Sequence, residues 1–386
     1  MKKKILYIIG GIITFLLLCY VIVGFITPYK HLQTAIFYAY RGSTIASLND
    51  SDKMPVQTAK KTQEWQLSSD YNTKKMSEIT EKTHQKYKSV AFLVIQNHQI
   101  KFEKYWENYD QNSLSNSFSM AKSLVALCIG IAIEEGKIKN INQKVGDFLP
   151  EFQKDGKNNI TIKDLLTMSS GLKWSEEYKN PISDVVRAYF EPNLYEMLTQ
   201  VPVEKQAGKT WKYSSGDTQI LGLILEKATK QPLSQYASEK IWQKIGAKNT
   251  AYWFVDKNKN TKAFCCLHSN ARDFAKLAQL VLQEGKWNDE QIVPQNFIKE
   301  ALAPADYLKD KEKKEPVMHY GYQFWRVKYK DKYYPCFRGV LGQYMILIPE
   351  KNAIVVRLGH KRAEKMINFC PEDLFVYLEE GLKMLN

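Results

Sequence analysis

The chain has 386 residues, 44% of them hydrophobic and 12% aromatic, enough apolar mass for two average domains or one large one, and this excludes a disordered protein. Lys and Arg outnumber Asp and Glu by 55 to 41, a formal net charge of +14. The basic residues are scattered among acidic ones rather than gathered into an aromatic-interleaved stripe, which argues against nucleic acid as a partner and for work beside an anionic membrane or wall.

The first segment stands apart. "MKKK" precedes an uncharged apolar run from Ile5 to Ile26, long enough to cross a bilayer as a helix. A cleaved signal peptide is the competing reading, but such signals have shorter apolar cores and a small-residue cleavage site, whereas this run ends in "TPYKHLQ". The expectation is a transmembrane anchor over residues 1–27, its N-terminus cytoplasmic because Lys2, Lys3 and Lys4 precede the span, with everything after Lys30 outside. Residues 28–85 are polar and read as a membrane-proximal linker partly draping a folded domain at 86–386.

In that domain "SVAFLVIQ" and "QIKFEKYWENY" flank Asn97 and His98 and predict a hairpin. In "SFSMAKSLVALCIGIAIEEGKI", apolar residues recur at helical spacing from Leu124 to Ile133 on more than one face, predicting a buried helix ended by Gly136, with Ser119 and Lys122 in its first turn. A series of helices with polar loops follows, an insertion at about 160–310. Then come four strand-like runs, "YGYQFWRVKY", "KYYPCFRGV", "QYMILIPE" and "NAIVVRLGH", and a last helix. Strands at both ends with helices between predict one sheet assembled from the two ends of the chain.

A serine hydroxyl needs a base to take its proton, and Lys122, one helical turn from Ser119, lies on the same face. A helix N-terminus and a buried setting both favour the neutral amine that a base requires. The competing reading is an N-cap serine with a snorkelling lysine, and Ser170 and Lys173 in "SSGLK" repeat the spacing without a buried helix behind it. A second candidate is "WKYSSGD": Tyr213 and Ser215 project from a small-residue loop, able to supply a proton-relay phenol and a partner for the lysine. A third is "FRGVLGQYMILIP", where Gly339 and Gly342 let the backbone approach a ligand and an N–H hold an oxyanion. Taken alone, the first two read more readily as a cap and a core tyrosine, and the third as a common glycine bend.

Together, in this order, the three motifs and the connecting "ITIKDLLTMSSGLKWSEEY" and "CCLHSNARDFAKLAQLVLQEGKW" resemble the penicillin-recognising serine hydrolases: class C β-lactamases, DD-peptidases and related esterases and amidases. The resemblance implies an α+β fold, an antiparallel sheet flanked by helices plus an all-helical lobe, with no metal or cofactor. It implies Ser119 as the acylated nucleophile, Lys122 as its base, Tyr213 as the proton relay, and the N–H groups of Ser119 and Val340 as the oxyanion hole, with Ser215 and Gly339 at the substrate. The second motif here ends in Ser215 where the family commonly has asparagine, and no lysine or histidine triplet precedes Gly339. That weakens a β-lactam or peptide-terminus substrate, since the missing cation binds a carboxylate; Arg338 is the possible substitute. "GVLGQ", the Tyr-x-Ser motif and "WSEEYKNPISDV" look more like the branch similar to 6-aminohexanoate-dimer hydrolases, which cleave small amides and esters, and there Tyr178 would correspond to a tyrosine contacting the substrate amide.

The leading expectation is thus a membrane-anchored serine hydrolase of small amides or esters. The rivals are a β-lactamase or cell-wall peptidase, and a non-catalytic wall- or antibiotic-sensing receptor. None of the histidines is placed as a triad base, and the nucleophile is not in a Gly-x-Ser-x-Gly elbow. Cys19, Cys128, Cys265, Cys266, Cys336 and Cys370 lack zinc-site spacing, and the adjacent Cys265 and Cys266 are not expected to bridge to each other.

Overall fold

The computed structural model describes residues 2–25, 31–33, 48 and 51–385. Its frame is a seven-stranded sheet. In chain order the strands are β1 (Gln66–Leu67), β2 (Ser89–Gln96), β3 (Gln99–Tyr105), β4 (Trp325–Tyr329), β5 (Lys332–Gly339), β6 (Gln343–Ile348) and β7 (Ala353–Gly359). Their spatial order is β4-β5-β6-β7-β2-β3-β1, antiparallel except where β1 joins β3. The sheet is built from both ends of the chain, as the strand pattern predicts, with β7 against β2 as the seam. Asn97 and His98 both take positive φ, 50° and 63°, the two-residue turn that matches strand twist and fixes the β2–β3 register.

Strand β2 is buried on both faces. Ala91, Leu93 and Ile95 join one core with Met345, Leu347, Ile354 and Val356, while Phe92 and Val94 join the other with Ile346, Ile348 and Val355. Two faces therefore need two covering layers. Helix α1 (Lys2–Phe25) lies ahead of this frame. Helices α2 (Glu78–Lys86) and α7 (Glu372–Met384) cover one side, joined where the Glu380 carboxylate accepts from Ser77 N at 2.9 Å and Thr80 Oγ1 at 2.8 Å. The other side holds α3 (Met120–Glu134), α4 (Ser215–Thr229), α5 (Ala271–Leu282) and α6 (Gln295–Leu302) with shorter helices between; α5 packs on β6 and β7, and α3 on α4. Gly136, at φ 67°, ends α3.

Three expectations change. Residues 53–86 are not only a drape: Lys53–Val56 pairs with Ala251–Phe254, β1 extends the main sheet and α2 packs on α7, so the ordered body reaches back to Lys53. Backbone pairing, not apolar content, recruits this polar segment, which is why composition misses it. The insertion also carries strands: Ala251–Phe254 and Leu267–Ser269 form the middle of a second, four-stranded sheet, with Lys53–Val56 and Ser115–Asn116 at its edges. Cys265 and Cys266 do bridge to each other, across a Cα separation of 3.8 Å, with Cys266 at φ 70° turning the chain so that both sulfurs meet. The expected span Ile5–Ile26 lies partly outside the described residues, and the side chains of α1 are described only for residues 10–22; among the described residues no helix is long and apolar enough to cross a membrane.

The turn Val340–Gly342 between β5 and β6 is held from behind by Arg357, a fully buried side chain. Its guanidinium donates to the carbonyls of Leu341 (3.0 Å), Gly342 (2.7 Å), Lys361 (3.0 Å) and Tyr87 (2.6 Å) and to Ser89 Oγ (2.9 Å). Gly342, at φ 86°, leaves the space that this guanidinium occupies. Replacing Arg357 by Met strands these buried carbonyls and is expected to cost about 3 kcal/mol or more of stability in urea denaturation, charged hydrogen bonds being the stronger class. An unchanged midpoint would show that the turn stands without it.

Candidate active site

Helix α3 starts abruptly. Phe118, buried and not glycine, takes φ 44°, a sparsely populated conformation held by its N–H on Asn116 Oδ1 at 2.8 Å. The next residue, Ser119, occupies the N-cap position, but its side chain makes no capping bond and its backbone is already helical. The capping reading of Ser119 therefore fails, and its hydroxyl is free to face the lysine one turn on. Lys122 does not snorkel: it is 1% exposed.

Three oxygens surround Lys122 Nζ: Phe264 O at 2.7 Å, Ser215 Oγ at 3.0 Å and Ser119 Oγ at 3.1 Å. Ser215 sits in the first turn of α4, whose N-cap is Ser214, and its own hydroxyl donates to Glu176 Oε1 at 2.6 Å. With that proton committed, Ser215 Oγ can only accept from the lysine. A neutral amine has two N–H groups and one lone pair. Phe264 O and Ser215 Oγ take the two N–H groups, and the lone pair is left for the Ser119 hydroxyl. This is the arrangement a general base needs, and the ammonium formed after proton transfer has a partner for each of its three N–H groups.

Electrostatics sets the balance between those forms. Burial brings the Lys122 amine down to about 8, while the charge of Glu176 pulls it the other way. The Glu176 carboxylate accepts from Ser215 N (2.9 Å), Ser215 Oγ (2.6 Å), Trp174 Nε1 (2.7 Å) and Tyr178 OH (3.0 Å). Tyr178 therefore lies in the cleft with its phenol tied to Glu176 rather than free. The Tyr213 phenol is raised by burial and by Glu176, with the Ser119 hydroxyl opposing, and so stays protonated at neutral pH. Its ring lies beneath Lys122 Nζ at 5.3 Å and stacks on Trp325 at 5.4 Å.

The remaining expected positions line the same cleft, an open cavity of ≈ 270 Å³ walled by Ser119, Glu176, Tyr213, Trp325, Arg338 and Val340 together with Tyr178, Gly339, Arg362 and Pro371. Gly339 is required by close approach: any side chain there would strike the Ser117 carbonyl oxygen beside the turn that carries Ser119. Arg338 lies flat on Trp325, 3.3 Å from the ring centroid, and donates to Phe369 O at 2.6 Å. Ser170 is elsewhere: its hydroxyl donates to Asp217 Oδ1 at 2.7 Å, and Lys173 is exposed. Sequence reasoning missed Glu176, the Phe264 carbonyl and Arg362. "WSEEY" offers two adjacent glutamates with nothing to choose between them, and a backbone acceptor has no side-chain signature. Among the described residues, no cluster of three or more His, Cys, Asp or Glu is placed to hold a metal ion.

The family model for beta-lactamases matches residues 72–367. The chain belongs to the β-lactamase family. It is a serine hydrolase of that family. The chain is 25% identical to a 6-aminohexanoate-dimer hydrolase of Paenarthrobacter ureafaciens over 284 residues, 70% of this chain and 72% of that one. It is 27% identical over 212 residues to a protein of Salmonella typhimurium named "Putative D-alanyl-D-alanine carboxypeptidase", a match that spans 48% of this chain and 49% of that relative. Among solved structures, "Putative 6-aminohexanoate-dimer hydrolase from Bacillus anthracis" superimposes with a TM-score of 0.73 over 94% of this chain and 95% of that one, at 19% identity, a likeness of fold.

If neutral Lys122 is the base, the acylation rate rises as pH passes through about 8 and levels off above it. Glu176→Gln removes the charge that favours the ammonium, so the limb moves to lower pH, by about one pH unit. Rate-versus-pH profiles of the two proteins check this; a limb that does not move would separate Glu176 from the lysine.

Proposed function

We propose that this protein is a membrane-anchored, extracytoplasmic amidase or esterase that works through an acyl-enzyme at Ser119. The observation that carries the reading is the donor and acceptor arrangement at Lys122 Nζ, which leaves a lone pair for Ser119 Oγ alone. Ser119 Oγ attacks the substrate carbonyl as its proton passes to Lys122. The negative charge that develops on the carbonyl oxygen is taken by the N–H groups of Ser119 and Val340, on the wall that Gly339 brings against the nucleophile turn. The raised phenol of Tyr213 gives its proton to the leaving amine or alcohol and recovers one from the Lys122 ammonium. Water then attacks the acyl-serine, with the same groups acting in reverse.

Small acyl compounds are the substrates that fit, because the cleft is open, aromatic on one side and of modest volume. Likeness to the 6-aminohexanoate-dimer hydrolase supports a linear amide or ester as the scissile group. A second reading, a cell-wall peptidase or β-lactamase, is favoured by Arg338 and Arg362, two cations lining the cleft that suit a substrate carboxylate.

A fluorophosphonate probe followed by intact-protein mass analysis tests the nucleophile. Wild type and Ser170→Ala are expected to gain one adduct, and Ser119→Ala none. Failure of wild type to label would favour a receptor that binds without turnover. Short p-nitrophenyl esters and linear amides are expected to turn over at least about a hundred-fold faster than a chromogenic cephalosporin or D-alanyl-D-alanine peptides, the scale that a mis-positioned carbonyl costs; the reverse order would install the peptidase reading.

The anchor rests on the uncharged apolar run Ile5–Ile26 and the lysines before it. The full chain is expected to stay with membranes through alkaline carbonate washing, and a chain beginning at residue 51 to remain in solution. A full chain released by carbonate would remove the anchor.

A further inference from the structure

We propose that the disulfide between the neighbouring residues Cys265 and Cys266 is a positioning element of the acylation machinery, holding the Phe264 carbonyl where it takes one N–H of neutral Lys122. The proposal rests on the reading of Ser119 and Lys122 given above.

Phe264 immediately precedes the bridged pair, and its carbonyl is the shortest contact that Lys122 Nζ makes, at 2.7 Å. Both cysteines are fully buried. The chain on either side is anchored to different parts of the molecule. Upstream, the Gln219 side chain of α4 donates to Thr261 O at 2.8 Å and accepts from Ala263 N at 2.9 Å, and Gly222 of the same helix leaves room for Ala263 to press against it. Downstream, Leu267 exchanges bonds with Ser117: Ser117 N donates to Leu267 O at 2.7 Å, and Leu267 N to Ser117 Oγ at 3.2 Å. The pair Asn116 and His268 continues this as strand pairing, so the segment after the bridge is joined to the turn that carries Ser119.

Between these anchors the chain must bend with Phe264 O aimed at the lysine. Cys266 makes that bend at φ 70°, a conformation that residues with a side chain seldom adopt. Trp253 Nε1 braces the bend through Cys265 O at 2.7 Å, whereas Phe264 O itself is met by the amine it serves, Lys122. The plane that carries Phe264 O is held on one edge by Cys265 N, which donates to Lys262 O at 3.1 Å, and the covalent link closes a ring around the next peptide, fixing ψ of Cys265 and φ of Cys266 where the chain leaves that plane. With the link gone, Cys266 can return to an ordinary extended conformation; because Ala263 and Leu267 stay anchored, the Phe264–Cys265 peptide between them takes up the change, its carbonyl turns, and one N–H of Lys122 is left to compete for the Ser119 oxygen. The lone pair then points away from the proton it must take.

Reduction is balanced by a dithiol, which gives two electrons and two protons; the Cys265–Cys266 bond breaks to two thiols as the reagent closes to its own cyclic disulfide. Neither cysteine lines the cleft, so loss of the link should act on the chemical step and not on substrate binding.

The deciding experiment compares wild type with the Cys265→Ala/Cys266→Ala variant in full-length protein. Fluorophosphonate labelling of Ser119 is expected to slow about ten-fold to a hundred-fold in the variant, the cost of a base misplaced by less than an ångström or so. For a short ester the fall should appear in kcat with KM little changed. Where the variant does not fold, wild type treated with dithiothreitol is used instead: labelling must fall as the two thiols become alkylatable and return on reoxidation, with circular dichroism unchanged. Equal labelling rates for folded variant and wild type overturn the proposal, and so does alkylation of either cysteine in unreduced wild type. A wild type that never labels at Ser119 overturns the acyl-enzyme reading from which it starts.

Discussion

A lysine amine removed from water must find partners for its hydrogens inside the protein, and at Lys122 that demand organises the whole centre of the molecule. One partner comes from its own helix, one from the start of α4, and one from the loop before α5. These pieces are far apart in sequence and belong to different structural layers, so the packing of α3 on α4 and the small sheet beside them are conditions for the site and not merely its surroundings. Burial makes the neutral amine accessible near pH 8; the acceptors determine where its lone pair points. Either effect without the other gives a lysine that is unprotonated but misdirected, or well directed but charged.

Glu176 shows how such a balance is set. A carboxylate this near a buried amine would, alone, favour the ammonium and remove the base. Here the Ser215 hydroxyl stands between them, and the carboxylate is occupied by donors from Ser215, Trp174 and Tyr178. It acts on the lysine in two ways: its charge favours the ammonium against the effect of burial, and by taking the Ser215 proton it makes Ser215 Oγ an acceptor. The same helix start is supported by a second buried acid, Asp217, which burial raises to about 7 and which receives the hydroxyls of Ser170 and Ser214. Ser170, the second serine with a lysine three residues on, thus serves the scaffold of the first.

Much of this is legible in the amino-acid sequence, and the boundary has a physical cause. Strand alternation and helical periodicity report burial, so the hairpin around Asn97, the four late strands and α3 are all readable. Spacing within one helical turn reports a shared face, so Ser119 and Lys122 are paired by their positions in the chain alone. Backbone pairing leaves no such trace, and Lys53–Val56 and β1 therefore look like linker. Convergence across the fold is equally silent: nothing in "WSEEY" distinguishes Glu176 from Glu177, and nothing in "AFCC" marks a carbonyl that faces a lysine more than a hundred residues earlier. The bridge between Cys265 and Cys266 runs against the geometry of ordinary disulfides, a limit that neighbouring residues escape when one of them adopts positive φ.

The third motif completes the site from the opposite wall. Two backbone features do its work, a glycine at 339 that lets β5 touch the Ser117 carbonyl and a glycine at 342 that admits the Arg357 guanidinium behind the turn. The turn is consequently fixed from both sides, by the nucleophile segment in front and by a buried cation at the back. Holding the turn in this way needs no lysine or histidine in the motif itself; such a cation, a partner for a substrate carboxylate, is absent here. Arg338 does not replace that cation in kind, because its guanidinium is spread over Trp325 and bonded to Phe369 O. It lines the cleft together with Arg362, Tyr213 and Trp325. Arg338 is thus set by its own contacts with Trp325 and Phe369, whereas the Lys122 amine is fixed by three oxygens from separate parts of the fold.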